Sequence, residues 1–398
     1  MKAKWVIFAV LTAFFVLVAD SEAVNTKDID LVRNKPVLES ADLQIIDAFM
    51  DAAAQELVNT KDFTSISQIR AAILGRSSSR KSSAAAQYEE QFFESAHKYI
   101  SLSLKQAEQL TPQGSRYKII LNLLILIDGL EDVRLADPAL AYLKAQNTVI
   151  RYWAVHSLTN PNFTQKLSSS KTANMQLAIR IVEQLKTLVE SAEGQNTMVL
   201  DMVARFAAEV DIPQGEELLG QIADMRIKNY ASWTVNNELL DAAILTLLYD
   251  KTSPGATNQR AAAQRFGQLY SYVIQRYVKG RDYISSIQKN QLASVLVEVE
   301  NSCISKILAA PQTVIQRAIE RDDYTRLLLE HSRLLGDETR AGEIPQKLNF
   351  DYGTTSPNGT RLTAPLALPE PPQKLIPDDS ASKGGSSGSS NSPNQPMP

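Results

Sequence analysis

Three histidines, one cysteine and a few spaced serines and carboxylates are the residues of this chain that could do chemistry. Glu94-Ser-Ala-His97 has the Glu-x-x-His spacing that puts two metal ligands on one helix face. Such a site needs a second pair from another helix, and the sequence holds none. Glu330 and His331 are adjacent, so on a helix they point about 100° apart. His156 sits beside Trp153 in an apolar run and reads as a packing residue. Cys303 has Val299 and Ile307 at helical spacing and no nearby histidine, which describes a buried structural thiol. Ser78-Ser-Arg-Lys81 and Ser168-Ser-Ser-Lys171 match a Ser-x-x-Lys spacing, but both fall in serine runs and lack the companion elements of an acylating enzyme. No glycine-rich phosphate loop, His-Glu-x-x-His or Gly-x-Ser-x-Gly is present, so neither cofactor nor metal is expected. The remaining catalytic option is a pair of carboxylates acting as acid and base, with Glu89, Glu90 and Glu94 the candidates.

Binding chemistry is better represented. Tyr270, Tyr272, Tyr277 and Tyr283 lie among Arg265, Arg276, Lys279 and Arg281, in and just after a predicted helix at 257–279. Tyrosine and arginine dominate interface hot spots. Tyr270 and Tyr277 are seven apart and share a face. Tyr270, Arg276, Tyr277, Arg281 and Tyr283 are therefore the candidate protein-contact surface.

The elements that must position these residues read as helix. Apolar residues recur at three and four: Leu43, Ile46, Phe49, Met50, Ala53 and Leu57; Ala178, Ile181, Leu185, Leu188 and Val189; Leu239, Ala243, Leu247 and Leu248. Pro112, Pro138, Pro161, Pro213, Pro254 and Pro311 fall between the periodic segments. The spacing predicts helices over 40–58, 63–74, 82–110, 116–130, 138–145, 148–159, 172–191, 196–209, 214–228, 233–250, 257–279, 287–308 and 312–335, the last breaking near Arg321-Asp322-Asp323. Nothing of length alternates as a strand does.

The segment from Ala139 to Leu158 resembles a HEAT repeat. It has the leucines of a first helix (Leu140, Leu143), a polar turn with Asn147, and a second helix opening on Ile150-Arg151 with Ala154 and Leu158 inside. Ala204 and Ala243 sit in looser copies, 50 and 39 residues apart in turn, against about 40–47 for such repeats. The resemblance implies a stack of antiparallel helix hairpins, because one pair cannot bury its own apolar face. The expected fold is all-α, an α-α solenoid; an irregular multi-helix bundle is the alternative.

The ends differ from the body. Lys2 and Lys4, an apolar run from Val6 to Val18, and Ser21-Glu22-Ala23 have the layout of a secretory signal peptide. Thirteen helical residues rise roughly 20 Å, short of the roughly 30 Å hydrocarbon core. Ten of the 17 prolines lie at or beyond Pro345, with a Gly/Ser run at 383–390, so 341–398 is expected to be a disordered tail. Asn162-Phe-Thr164 and Asn358-Gly-Thr360 are glycosylation sequons. The division is thus 1–23 signal peptide, 24–114 N-terminal helical region, 115–340 HEAT-like region and 341–398 tail. With 41 basic against 44 acidic residues the chain has no field to draw nucleic acid. The single cysteine forbids an internal disulfide. These features point to an exported, periplasmic or extracellular, non-enzymatic repeat protein that binds or scaffolds another envelope protein. The alternatives are an enzyme acting on an envelope polymer, peptidoglycan or polysaccharide, and a self-assembling structural protein.

Overall fold

The computed structural model describes residues 24–169, 171–191, 194, 196–353 and 361–372. The signal-peptide expectation for 1–23 lies outside them, as do 354–360 and 373–398. No β-strand occurs among the described residues, most of which are helical; one isolated bridge pairs Gly336 with Ala341. No described helix is long and apolar enough to cross a membrane.

In chain order the helices are α1 (Lys27–Val32), α2 (Ser40–Asn59), α3 (Phe63–Leu74), α4 (Ala85–Glu108), α5 (Gln113–Leu130), α6 (Ala136–Leu140), α7 (Thr148–Thr159), α8 (Pro161–Ser169) and α9 (Lys171–Glu190). There follow α10 (Thr197–Glu209), α11 (Pro213–Ala231), α12 (Leu240–Asp250), α13 (Gln259–Lys279), α14 (Ser286–Val299), α15 (Val314–Glu320), α16 (Tyr324–Leu335) and α17 (Glu343–Leu348). After α14 the chain winds on through a π-helical stretch, Glu300–Ile304. The Glu300 carboxylate accepts from the backbone N–H groups of Ile315 and Gln316 at 2.8 and 2.9 Å, which ties that stretch to the start of α15.

Short polar side chains start these helices. Asn147 accepts from the N–H groups of Val149 and Ile150, Asn196 from that of Met198, Asp62 from Ser65 and Asp323 from Arg326. Each satisfies a donor that a helix start leaves open. Helix packing then forms two rows. α5, α7, α10, α12 and α14 contact one another in succession, and α9, α11, α13 and α16 make a second succession. Hairpin partners such as α10 with α11 and α12 with α13 join the rows. One cluster of buried apolar residues runs from Ile29 to Leu368 and crosses the expected 114/115 division.

Three departures from expectation have physical causes. The segment 141–145 is a series of tight turns instead of helix, closed by the Arg151 guanidinium donating to the Ala145 carbonyl at 2.7 Å. Residues 232–239 are a loop, so the helix expected from 233 begins at Leu240. Its side-chain register shifts accordingly: Leu240, Ile244, Leu245 and Leu248 are buried, while Leu239 is exposed. Lastly, the ordered body does not stop at 340. α17 buries Ile344, and Phe350 and Tyr352 pack into the cleft left by Gly267, where a Cβ would lie 2.9 Å from the Phe350 ring. An extended strap, 361–372, follows; Leu362 N–H donates to the Gly353 carbonyl at 2.8 Å, and Leu368 is buried. The rest of the expected tail lies outside the described residues.

Candidate protein-contact groove

The sequence placed a contact surface on α13, and the structure buries most of it. Tyr270, Arg276 and Tyr277 are 0%, 1% and 3% exposed. The reason is position: α13 is covered by α11, α12, α14, α16 and α17. Burial pushes the Tyr270 phenol well above its usual range. Tyr283 is half-buried with its ring edge-on to Trp233, and exposed Arg281 pairs with its neighbour Asp282 at 3.1 Å. The tyrosine and arginine enrichment therefore belongs to a polar core.

That core fixes the loop 232–239. Arg226 of α11 forks onto Asp241 of α12 with two bonds of 2.7 Å and also donates to the carbonyls of Asn236 and Asn237. Tyr230 donates to the same carboxylate at 2.7 Å. Burial opposes the Arg226 charge, yet the adjacent Asp241 carboxylate outweighs it and holds the guanidinium above its usual pKa. Beside this pair Arg276 reaches Glu238 at 3.1 Å, its guanidinium 5.2 Å from the Trp233 ring and 5.7 Å from that of Tyr230. Two residues of the loop, Trp233 and Asn237, hold positive φ (60° and 53°), a backbone state tolerated here because its carbonyls are so tightly used.

The open surface lies instead at the starting ends of α7, α10 and α12. Val149, Met198 and Leu239 are 49%, 61% and 47% exposed. Each stands within two residues of a helix start, just after a capped or loop-bound turn. A hollow of about 490 Å³ joins Met198 and Leu239, lined by Tyr152 and His156 of α7, Met198, Asp201 and Arg205 of α10, and Leu239. A second, of about 380 Å³, continues it past Val149, Tyr152 and Met198. Arg151 links that to a third hollow of about 290 Å³ beside Leu143 and Gln184.

The floor of the groove is rigid. His156 Nδ1 lies 2.7 Å from Asp128 Oδ1, and Asn160 donates to the same oxygen at 3.2 Å. The imidazole is tilted against the rings of Trp153 (5.1 Å) and Tyr152 (5.9 Å). An aromatic, half-buried surface with apolar rims and one Asp201–Arg205 pair can hold an amphipathic segment. Glu298 lines the same hollow.

The other candidates are dispersed. His97 and Glu94 are exposed on α4, and Glu90 pairs with Arg134 at 3.0 Å. Among the described residues no group of three or more His, Cys, Asp or Glu could hold a metal ion. Cys303 is fully buried and its thiol is pushed up by desolvation. The Ser78 carbonyl accepts from Arg33 at 2.8 Å, so that serine run docks against the end of α1. The side chain of Lys171 lies outside the described residues. Sequence reasoning missed Val149 and Met198, each an apolar residue beside a helix start and off the buried stripe, and it placed Leu239 on the stripe of a helix that begins only after it. Comparison with protein-family models, with curated proteins and with solved structures finds no match for this chain.

Proposed function

We propose that this is an exported, non-enzymatic helical protein that binds another protein of the cell envelope through the groove at the starts of α7, α10 and α12. The observation that carries the reading is the row of exposed Val149, Met198 and Leu239, one from each successive helix of one row, opening on joined hollows. Contiguous exposed apolar surface rimmed by polar groups marks interaction sites. The succession of helix pairs and the HEAT-like turn at Asn147 support a solenoid arrangement, which suits the groove to a long partner segment. Export rests on the leader pattern of residues 1–23.

The occupant that fits is an amphipathic segment whose apolar side faces the three rim residues. The test places a photo-crosslinking side chain at position 198 or 239 of the full-length protein, with position 31 on α1 as the exposed apolar control. The expected result is one and the same envelope protein crosslinked from 198 and 239, absent from 31, and lost with Met198→Glu when 239 carries the probe. Identical adducts from all three positions, or none from the groove, overturn the reading.

A further inference from the structure

The strap 361–372 is held in a way that a chain end packed only by its apolar residues would not be. Two glutamines on one face of α13, seven residues apart, read its main chain. Gln268 Oε1 accepts the Leu366 N–H at 2.8 Å, and its Nε2 donates to the Leu366 carbonyl at 3.3 Å. Gln275 Nε2 donates to the same carbonyl at 3.2 Å while its Oε1 accepts the Leu368 N–H at 2.7 Å. Lys279 then takes the Leu368 carbonyl at 2.7 Å and the Glu370 carboxylate at 2.7 Å. Trp233 donates its indole N–H to the Pro369 carbonyl at 3.1 Å.

Only one side chain of the stretch is swallowed. Leu368 is 1% exposed, whereas Leu366 points outward. Pro365 and Pro369 fix their own φ and restrict the residues before them, Ala364 and Leu368, to extended backbone, which lowers the entropy lost on docking. Main-chain hydrogen bonds for affinity plus one pocket for an alternate side chain is the way a surface takes an extended peptide. The glutamines are themselves prepared: both are buried, and Gln275 also donates to Ser271 Oγ at 2.8 Å, which lies 2.8 Å from His331 Nε2.

The geometry points to a second docking site on α13, built for an extended segment of another polypeptide with a Leu-Pro-acidic sequence, which the chain's own strap occupies as an internal competitor. The contacts to the main chain carry no requirement that the peptide be covalently attached. Covalent attachment supplies the strap at an effective concentration on the order of millimolar, and an outside peptide must outcompete that. None of the side chains that hold the strap lines the groove proposed above.

The test uses the full-length protein and a fluorescent peptide with the sequence of residues 361–372, followed by anisotropy. Leu368→Asp removes the buried side chain from the internal competitor and leaves the receptor face intact. The variant is expected to bind the peptide at least ten-fold more tightly than the wild-type protein. Adding Gln275→Leu to it abolishes binding, and Met198→Glu leaves it unchanged. Leu368→Ala, a milder change, gives the same order with a smaller gain and serves where the aspartate variant does not fold. A folded variant that binds the peptide no better than the wild type, or that still binds it after Gln275→Leu, overturns the proposal.

Discussion

Two surfaces of this molecule are lined by helices and framed by aromatic residues, yet one is open and the other closed. At the starts of α7, α10 and α12 the apolar rim residues face solvent. On α13 the equivalent opening is filled by the chain's own strap. The open site offers side-chain shape with few free hydrogen-bonding groups. The closed one offers paired donors and acceptors that would be costly to bury unmet, at about 1–3 kcal/mol each. Apolar surface can be left exposed at little cost to folding, whereas two buried amides demand an occupant, and the chain supplies one.

Four measurements break or sharpen that contrast. The largest effect falls on the loop both surfaces share. Asp241→Ala strands the Arg226 guanidinium in the core, and thermal or denaturant unfolding should show a loss of about 3–5 kcal/mol. Replacing both partners by apolar residues of similar size should recover much of it; a single variant as stable as the wild type would mean the pair does not hold the loop.

The next effect is confined to the closed side. Desolvation lowers the His331 imidazole to about 4. An opened or unfolded state with an ordinary histidine takes up its proton first as pH falls. Stability is thus fully present above about pH 7 and is lost between about pH 6.5 and 4, by about 2 kcal/mol after allowance for the half-buried ring's access to solvent. His331→Gln should flatten this part of the pH profile. The difference between the two proteins' melting curves at pH 7.5 and 4.5 measures it, and parallel curves would remove His331 from the account.

Smaller still is the cap of the open side. Asn147→Ala leaves the Val149 and Ile150 amides unpaired and should cost about 1 kcal/mol in denaturant unfolding, with Asn147→Ser nearly silent. The smallest change in stability belongs to the rim. Met198→Glu is expected within about 0.5 kcal/mol of wild type while it abolishes crosslinking from position 239. A large destabilisation would show that Met198 belongs to the core.

Much of the fold was legible because it is local. The helices at 63–74 and 148–159 agree with the spacing of their apolar residues to the residue, and Asn147 announces its cap by type alone. What failed was decided at a distance. Val235 and Leu239 continue an apolar rhythm, but Arg226 takes the carbonyls between them and forbids a helix. The proline-rich stretch after 340 resembles a spacer until Gln268 and Gln275, nearly a hundred residues earlier, are seen to meet its backbone. Tyr270, Arg276 and Tyr277 illustrate a different limit. A buried polar network and an interface hot spot use the same residue types, and only their surroundings distinguish them. Val149 and Met198 were visible in the sequence as residues off the stripe, which drew attention away from them, whereas Leu239 was read as part of a stripe and only the late start of α12 frees it.

The loop 232–239 touches both surfaces. Trp233 holds the Pro369 carbonyl of the strap, and six residues later Leu239 forms the rim of the groove. Were two ligands coupled through this one short segment, whatever factor the first imposed on the second's affinity the second would return to the first. A polypeptide that displaced the strap would take the Pro369 acceptor from Trp233, and the loop that ends at Leu239 is the segment through which that loss would reach the groove.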